Sequence, residues 1–87
     1  MSMNKVFSDI AWNHYQFWIL NDKKVLNKLN ELIRDIERNG NIGIGKPEPL
    51  KNELSGFWSR RITDVHRLVY GLDEDNIYIV KCKGHYD

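Results

Sequence analysis

The chain has 87 residues, 41% of them hydrophobic, with three Trp, four Tyr and three Phe, which supplies the core of one small domain and is too short for two. Thirteen Lys and Arg against twelve Asp and Glu leave a net charge of +1, which selects no class of partner by itself, and no apolar run approaches the roughly 18 residues of a membrane-spanning helix. The single Cys82 excludes an internal disulfide and a thiolate metal cluster, and a start without an apolar segment or small-residue cleavage site does not read as a secretory signal, so a soluble cytoplasmic domain stabilised by packing is expected.

Residues 3–7 read as a short strand. Ser8 follows as a helix N-cap with Asp9 in the first turn, where a carboxylate suits the helix dipole. Trp12, Tyr15, Trp18 and Ile19 then recur at three- and four-residue spacing, and their stripe is expected in the core. Asn21 and Asp22 cap a second helix in which Val25, Leu26, Leu29, Leu32, Ile33 and Ile36 form one apolar face; Gly40 ends it by accepting a left-handed conformation. Residues 41–50 hold two glycines and both prolines and read as a loop or extended passage. Beyond it, residues 57–63, 67–72 and 77–83 are β-branched and aromatic runs separated by turn-forming residues, which predicts antiparallel hairpins. The order β-α-α-β-β-β predicts an α+β domain with two helices packed on one face of a mainly antiparallel sheet.

Strand parity sorts the side chains. Leu68, Tyr70 and Leu72 share an apolar face, so Arg67 points the other way; in the last strand Tyr78, Val80 and Cys82 read as apolar, with Lys81, Lys83 and His85 alternating. Arg67 and His85 can therefore share an open face. Arg61 lies with Phe57, Ser59 and Thr63, opposite Trp58, Arg60 and Ile62, and parity leaves open which of the two adjacent arginines joins that face. The stretch 46–67 carries five basic and three acidic residues, a patch able to meet phosphates or simply a solvated mixed-charge surface.

An open face with arginine, lysine and histidine, beside a loop that brings Glu48, holds the parts of a metal-free ribonuclease. RNA supplies its own nucleophile: a carboxylate takes the 2'-hydroxyl proton, arginine stabilises charge on the pentavalent phosphate, and histidine protonates the leaving 5' oxygen. No cofactor or metal is expected, since His14, His66 and His85 lack metal-site spacing. Blander roles compete. Glu48 could pair with Lys46 or Lys51, Arg67 with Asp64 or Glu53, and His85 could be a frayed terminal side chain. His14 reads as structural or exposed, His66 as a local hydrogen-bonding group in a turn, and Cys82 as a small buried hydrophobe.

The runs KPEPLK at 46–51, LSGFWSRRI at 54–62, HRLVY at 66–70 and CKGHY at 82–86 closely resemble the YoeB (Txe) branch of the RelE toxin superfamily, a resemblance that spans essentially the whole chain. It implies a RelE-like, microbial-RNase-like fold and the toxin of a type II toxin-antitoxin pair: a ribosome-dependent mRNA interferase that cuts translated mRNA in the ribosomal A site. It further implies Glu48 as general base, Arg67 as the phosphate-stabilising residue and His85 as general acid. Tyr86 would complete the C-terminal part of the site, with Lys51 and Arg61 as supporting phosphate or RNA contacts. The implied partners are mRNA, the ribosome, a YefM- or Phd-like antitoxin and a second copy in a homodimer. Operator DNA would be met only through the antitoxin complex, and no membrane partner is expected. The competing reading is a non-catalytic toxin resembling the ParE branch, which poisons DNA gyrase and would not need Glu48 and His85 as an acid/base pair.

Overall fold

A computed structural model describes residues 2–85 of the chain. The elements run β1 (Asn4–Phe7), α1 (Asp9–Asn21), α2 (Lys23–Asn39), β2 (Glu48–Pro49), a 3-10 turn (Asn52–Leu54), β3 (Trp58–Arg61), β4 (Arg67–Leu72) and β5 (Asn76–Lys81). The helix ends follow from their caps. Ser8 Oγ accepts from the Ala11 N–H, Asp22 Oδ1 accepts from the N–H groups of Lys24 and Val25, and Gly40 closes α2 at φ 66°.

One five-stranded sheet has the order β1-β5-β4-β3-β2, with β1 parallel to β5 and every other pair antiparallel. Both helices cover one face, and the core lies between: Leu26, Leu29, Leu32 and Ile36 of α2, Trp18 of α1, and Leu68, Tyr70, Ile77 and Ile79 of the sheet are all buried. Among the described residues no α-helix covers the opposite face.

Three details depart from the sequence reading. Residues 48–49, expected within a loop or extended passage without a strand of their own, form a two-residue edge strand on β3, because the proline-flanked extended backbone already has the geometry of a strand. Trp12, expected in the core stripe, is 51% exposed. The neighbouring Ala11 holds the inward position, about 100° away around the helix, and Trp12 instead stacks on Tyr15 and meets Phe7 edge-on. In β5 the core residues are Ile77 and Ile79, not Tyr78 and Val80. A bulge explains it: Tyr70 pairs with Ile79 while its neighbour Val69 pairs with Lys81, so Val80 is extra and the parity resets before Cys82. Cys82 is buried as expected, while Tyr78 shares the open face with Gly71.

Candidate active site

The strand register builds the open face row by row. Glu48 pairs with Ser59, Ser59 with Val69 and Val69 with Lys81, so these four lie in line across β2, β3, β4 and β5. Directly paired residues point to the same side. In the next row Arg61 pairs with Arg67. At about 4.8 Å per strand and 3.4 Å per residue, the Glu48 and Arg67 Cα atoms stand roughly 12 Å apart, a span that two side chains and one phosphodiester bridge. Ser59 and Val69 form a buried floor between the polar ends.

Glu48 is held by its surroundings. The Arg61 N–H donates to Gly45 O at 2.7 Å and the Leu50 N–H to Phe57 O at 2.9 Å, which pins the segment to β3 on both sides. Pro47 and Pro49 restrict it further. Lys46 and Asn52, at φ 52° and 58°, bracket it with left-handed backbone that costs of order 1 kcal/mol at a non-glycine residue. Such strain collects at functional segments. An open cleft of about 560 Å³ runs along residues 48–54, with Lys51 on its wall. Among the described residues Glu48 forms no ion pair with Lys46 or Lys51, nor Arg67 with Asp64 or Glu53.

The two adjacent arginines separate cleanly. Arg60 is fully buried: its Nη1 donates to Asp35 Oδ2 at 2.5 Å and Ile44 O at 2.9 Å, its Nη2 to Gly40 O at 2.7 Å, and its Nε to the Tyr70 hydroxyl at 3.2 Å. It is a structural tie. Arg61 lies on the open face, loosely paired with the exposed Asp64 at 3.9 Å. Arg67 sits half-buried beside it, its Nη1 donating to Thr63 O at 3.0 Å.

After β5 the chain continues toward Arg67. The Arg67 N–H donates to Gly84 O at 2.9 Å, and Lys81 Nζ donates to His85 O. His85 is exposed at this edge of the face. Tyr86, expected to complete the site, lies outside the described residues. Lys83, expected beside Lys81, turns away instead, its ammonium 4.8 Å from the centre of the Phe17 ring on α1.

Two groups passed over as structural shape this edge. The Cys82 N–H donates to His14 Nδ1 at 3.1 Å and the Gly84 N–H to His66 Nδ1 at 2.9 Å. Burial, followed by the positive charge of Lys83, holds both imidazoles below the ordinary histidine pKa. In sequence the usable signal was that His14 stands one helical turn before Trp18 and His66 directly precedes Arg67. Cys82 is no nucleophile: burial pushes its thiol up to about 12.

Residues 7–86 match the model of a family described as YoeB-like toxin of bacterial type II toxin-antitoxin systems. The chain belongs to the YoeB toxin family. It is 50% identical over 84 residues to toxin YoeB of Escherichia coli K12, an alignment covering 97% of this chain and all of that one. The fold matches the YoeB dimer structure from Staphylococcus aureus with a TM-score of 0.93 at 49% identity, covering 99% of this chain and 100% of that one. The heterotetrameric YoeB-YefM complex from the same organism gives 0.92 at 49% identity, with the same coverage. The five-stranded sheet carrying two helices on one face is thus the architecture of YoeB toxins. Among the described residues no helix is long and apolar enough to cross a membrane, and no three metal-ligating side chains gather.

Proposed function

We propose that this YoeB-family toxin is a ribosome-dependent endoribonuclease that cuts translated mRNA in the ribosomal A site without a metal. The supporting observation is the juxtaposition on one helix-free sheet face of a rigidly held carboxylate, Glu48, a pair of facing arginines, Arg61 and Arg67, and a C-terminal segment bearing His85 tied by its backbone to Arg67 and Lys81. Glu48 takes the proton from the 2'-hydroxyl, and the 2' oxygen attacks phosphorus. Arg67 meets the charge that builds on the non-bridging oxygens, while Lys51 and Arg61 hold flanking phosphates. His85 gives its proton to the 5' oxygen as the P–O5' bond breaks, leaving a 2',3'-cyclic phosphate and a 5'-hydroxyl. Acid and base each supply about 10²- to 10⁴-fold. Tyr86 is assigned to the same terminal part of the site.

Its regulation follows the relatives. The chain works in the cytoplasm, is inhibited by a YefM-like antitoxin, forms a homodimer, and meets operator DNA through the antitoxin complex. The outward side of α1 exposes Ile10, Trp12, Phe17 and Leu20, apolar area suited to cover by protein.

The test is incubation of the purified chain with an mRNA, free and on programmed ribosomes, beside a DNA gyrase supercoiling assay. Cleavage only on ribosomes, abolished by a single 2'-deoxy nucleotide at the cut, is expected. Glu48→Gln, Arg67→Ala and His85→Ala are each expected to lower the rate at least 100-fold. Intact mRNA with blocked supercoiling would replace this reading by the gyrase-binding one.

A further inference from the structure

Beyond Lys81 the C-terminal segment leaves the ladder of β4 and β5, and among the described residues one backbone bond, from the Arg67 N–H to Gly84 O, still joins it to the sheet. Cys82 is nevertheless fully buried, where an unpartnered backbone group costs about 1–3 kcal/mol. Three ring side chains take the place of a strand. His14 Nδ1 accepts from the Cys82 N–H, Trp18 Nε1–H donates to Cys82 O at 2.8 Å, and His66 Nδ1 accepts from the Gly84 N–H. The rings form one bracket: His14 and Trp18 stand one turn apart on α1, and the His66 ring meets the Trp18 ring edge-on at 4.8 Å. His66 is fixed in turn by its own backbone, whose N–H donates to Thr63 Oγ1 at 3.0 Å and whose C=O accepts from the Ile62 N–H at 2.9 Å. Thr63 O receives the Arg67 guanidinium. One tight turn therefore sets both Arg67 and the segment ahead of His85. Gly84, at φ 78°, supplies the left-handed bend that a side chain would strain.

We infer that His14 and His66 are positioning residues: as neutral imidazoles accepting at Nδ1, they hold residues 82–84 so that His85 stands beside Arg67 and can reach the leaving oxygen. The inference rests on the reading of His85 as the general acid. An imidazolium carries a hydrogen on Nδ1 and cannot accept, so the bracket needs the neutral form. Asparagine places Oδ1 near the position of Nδ1 and preserves the acceptor, whereas alanine deletes it.

The experiment compares His66→Ala, His66→Asn, His85→Ala and the wild-type chain on two ribosome-bound mRNAs, one ordinary and one with sulfur in place of the 5' oxygen at the cut. A thiolate leaves without a proton and makes the acid unnecessary. On ordinary mRNA, His66→Ala is expected to lower kcat about 10- to 100-fold, part of the acid's contribution, with KM within about twofold and with His66→Asn recovering most of the rate. On the sulfur substrate both His66→Ala and His85→Ala should cleave near the wild-type rate. Equal loss by His66→Ala on both substrates, an effect confined to KM, or no recovery by asparagine would overturn the positioning role. A fully active His85→Ala on ordinary mRNA would instead overturn the acid assignment. Independently of any variant's folding, nitrogen NMR of the wild-type chain should show His66 unprotonated at Nδ1 and coupled to the Gly84 N–H; a proton on that nitrogen would refute the bracket.

Discussion

Arg60 and Arg61 are chemically alike and adjacent, yet the pleat sends one into the core and the other to the candidate site. Arg60 gathers the C-terminal end of α2, the loop after it and β4 around one guanidinium, with the Tyr70 hydroxyl passing a further bond to Asn41 at 3.1 Å. The Arg60 bond holds the Asp35 carboxyl below its ordinary pKa, so that part of the stability is present at neutral pH and is lost as pH falls below about 4. Removing one partner of such a pair typically costs 3 to 5 kcal/mol. Arg60→Ala is accordingly expected to destabilise the chain by about 3 kcal/mol in urea unfolding, with Arg60→Lys restoring little because the fork of bonds is lost. Arg61→Ala should change stability by under about 0.5 kcal/mol while raising KM for mRNA. Equal destabilisation by the two alanine variants would contradict the division. Parity alone could not make it, because a strand with an arginine on each face reads the same in either direction; the deciding fact is Asp35, 25 positions away in sequence.

At the scale of elements, both helices and the strands β1, β3, β4 and β5 were legible because caps and apolar spacing are local. Ser8, Asp22 and Gly40 do in the structure what their residue types imply. The misread parts were set by long-range pairing. β2 exists only because β3 lies beside it, and the bulge at Val80 is fixed by the register with β4 rather than by anything in its own residues. The site suffered the same limit. Glu48, Arg67 and His85 could be singled out, but the bracket of His14, Trp18 and His66 joins α1, a turn and the C-terminal segment, and only folding brings these together. That bracket has a pH signature. Both histidines titrate below their unfolded value of about 6.5, so below that pH the unfolded chain binds more protons and stability falls until the lowered folded values are passed. The charged and titratable groups facing them are Lys83, Lys81 and His66 around His14, and Lys83 with Asp22 around His66. The urea midpoint should therefore drop between pH 7.5 and 5.5, and the double variant His14→Asn, His66→Asn should flatten that dependence. An equally steep dependence in the double variant would show that other groups carry it.

Across the whole molecule, the two faces of the sheet divide the labour. Helices, apolar side chains and the Arg60 tie occupy one; the other carries Glu48, Arg61, Arg67 and Lys81 over a buried floor of Ser59 and Val69. Glu48 and His85 are exposed, so replacing either leaves the core closed and tests the proposed chemistry alone. The proposed cleavage step needs no water, because its nucleophile would be the 2'-hydroxyl of the substrate. The ends of the product report that directly. Mapping them after cleavage on ribosomes should find a 2',3'-cyclic phosphate upstream of the cut and a 5'-hydroxyl downstream. A 3'-hydroxyl facing a 5'-phosphate would mean that water attacked from the other side, and would contradict the roles given to Glu48, Arg67 and His85.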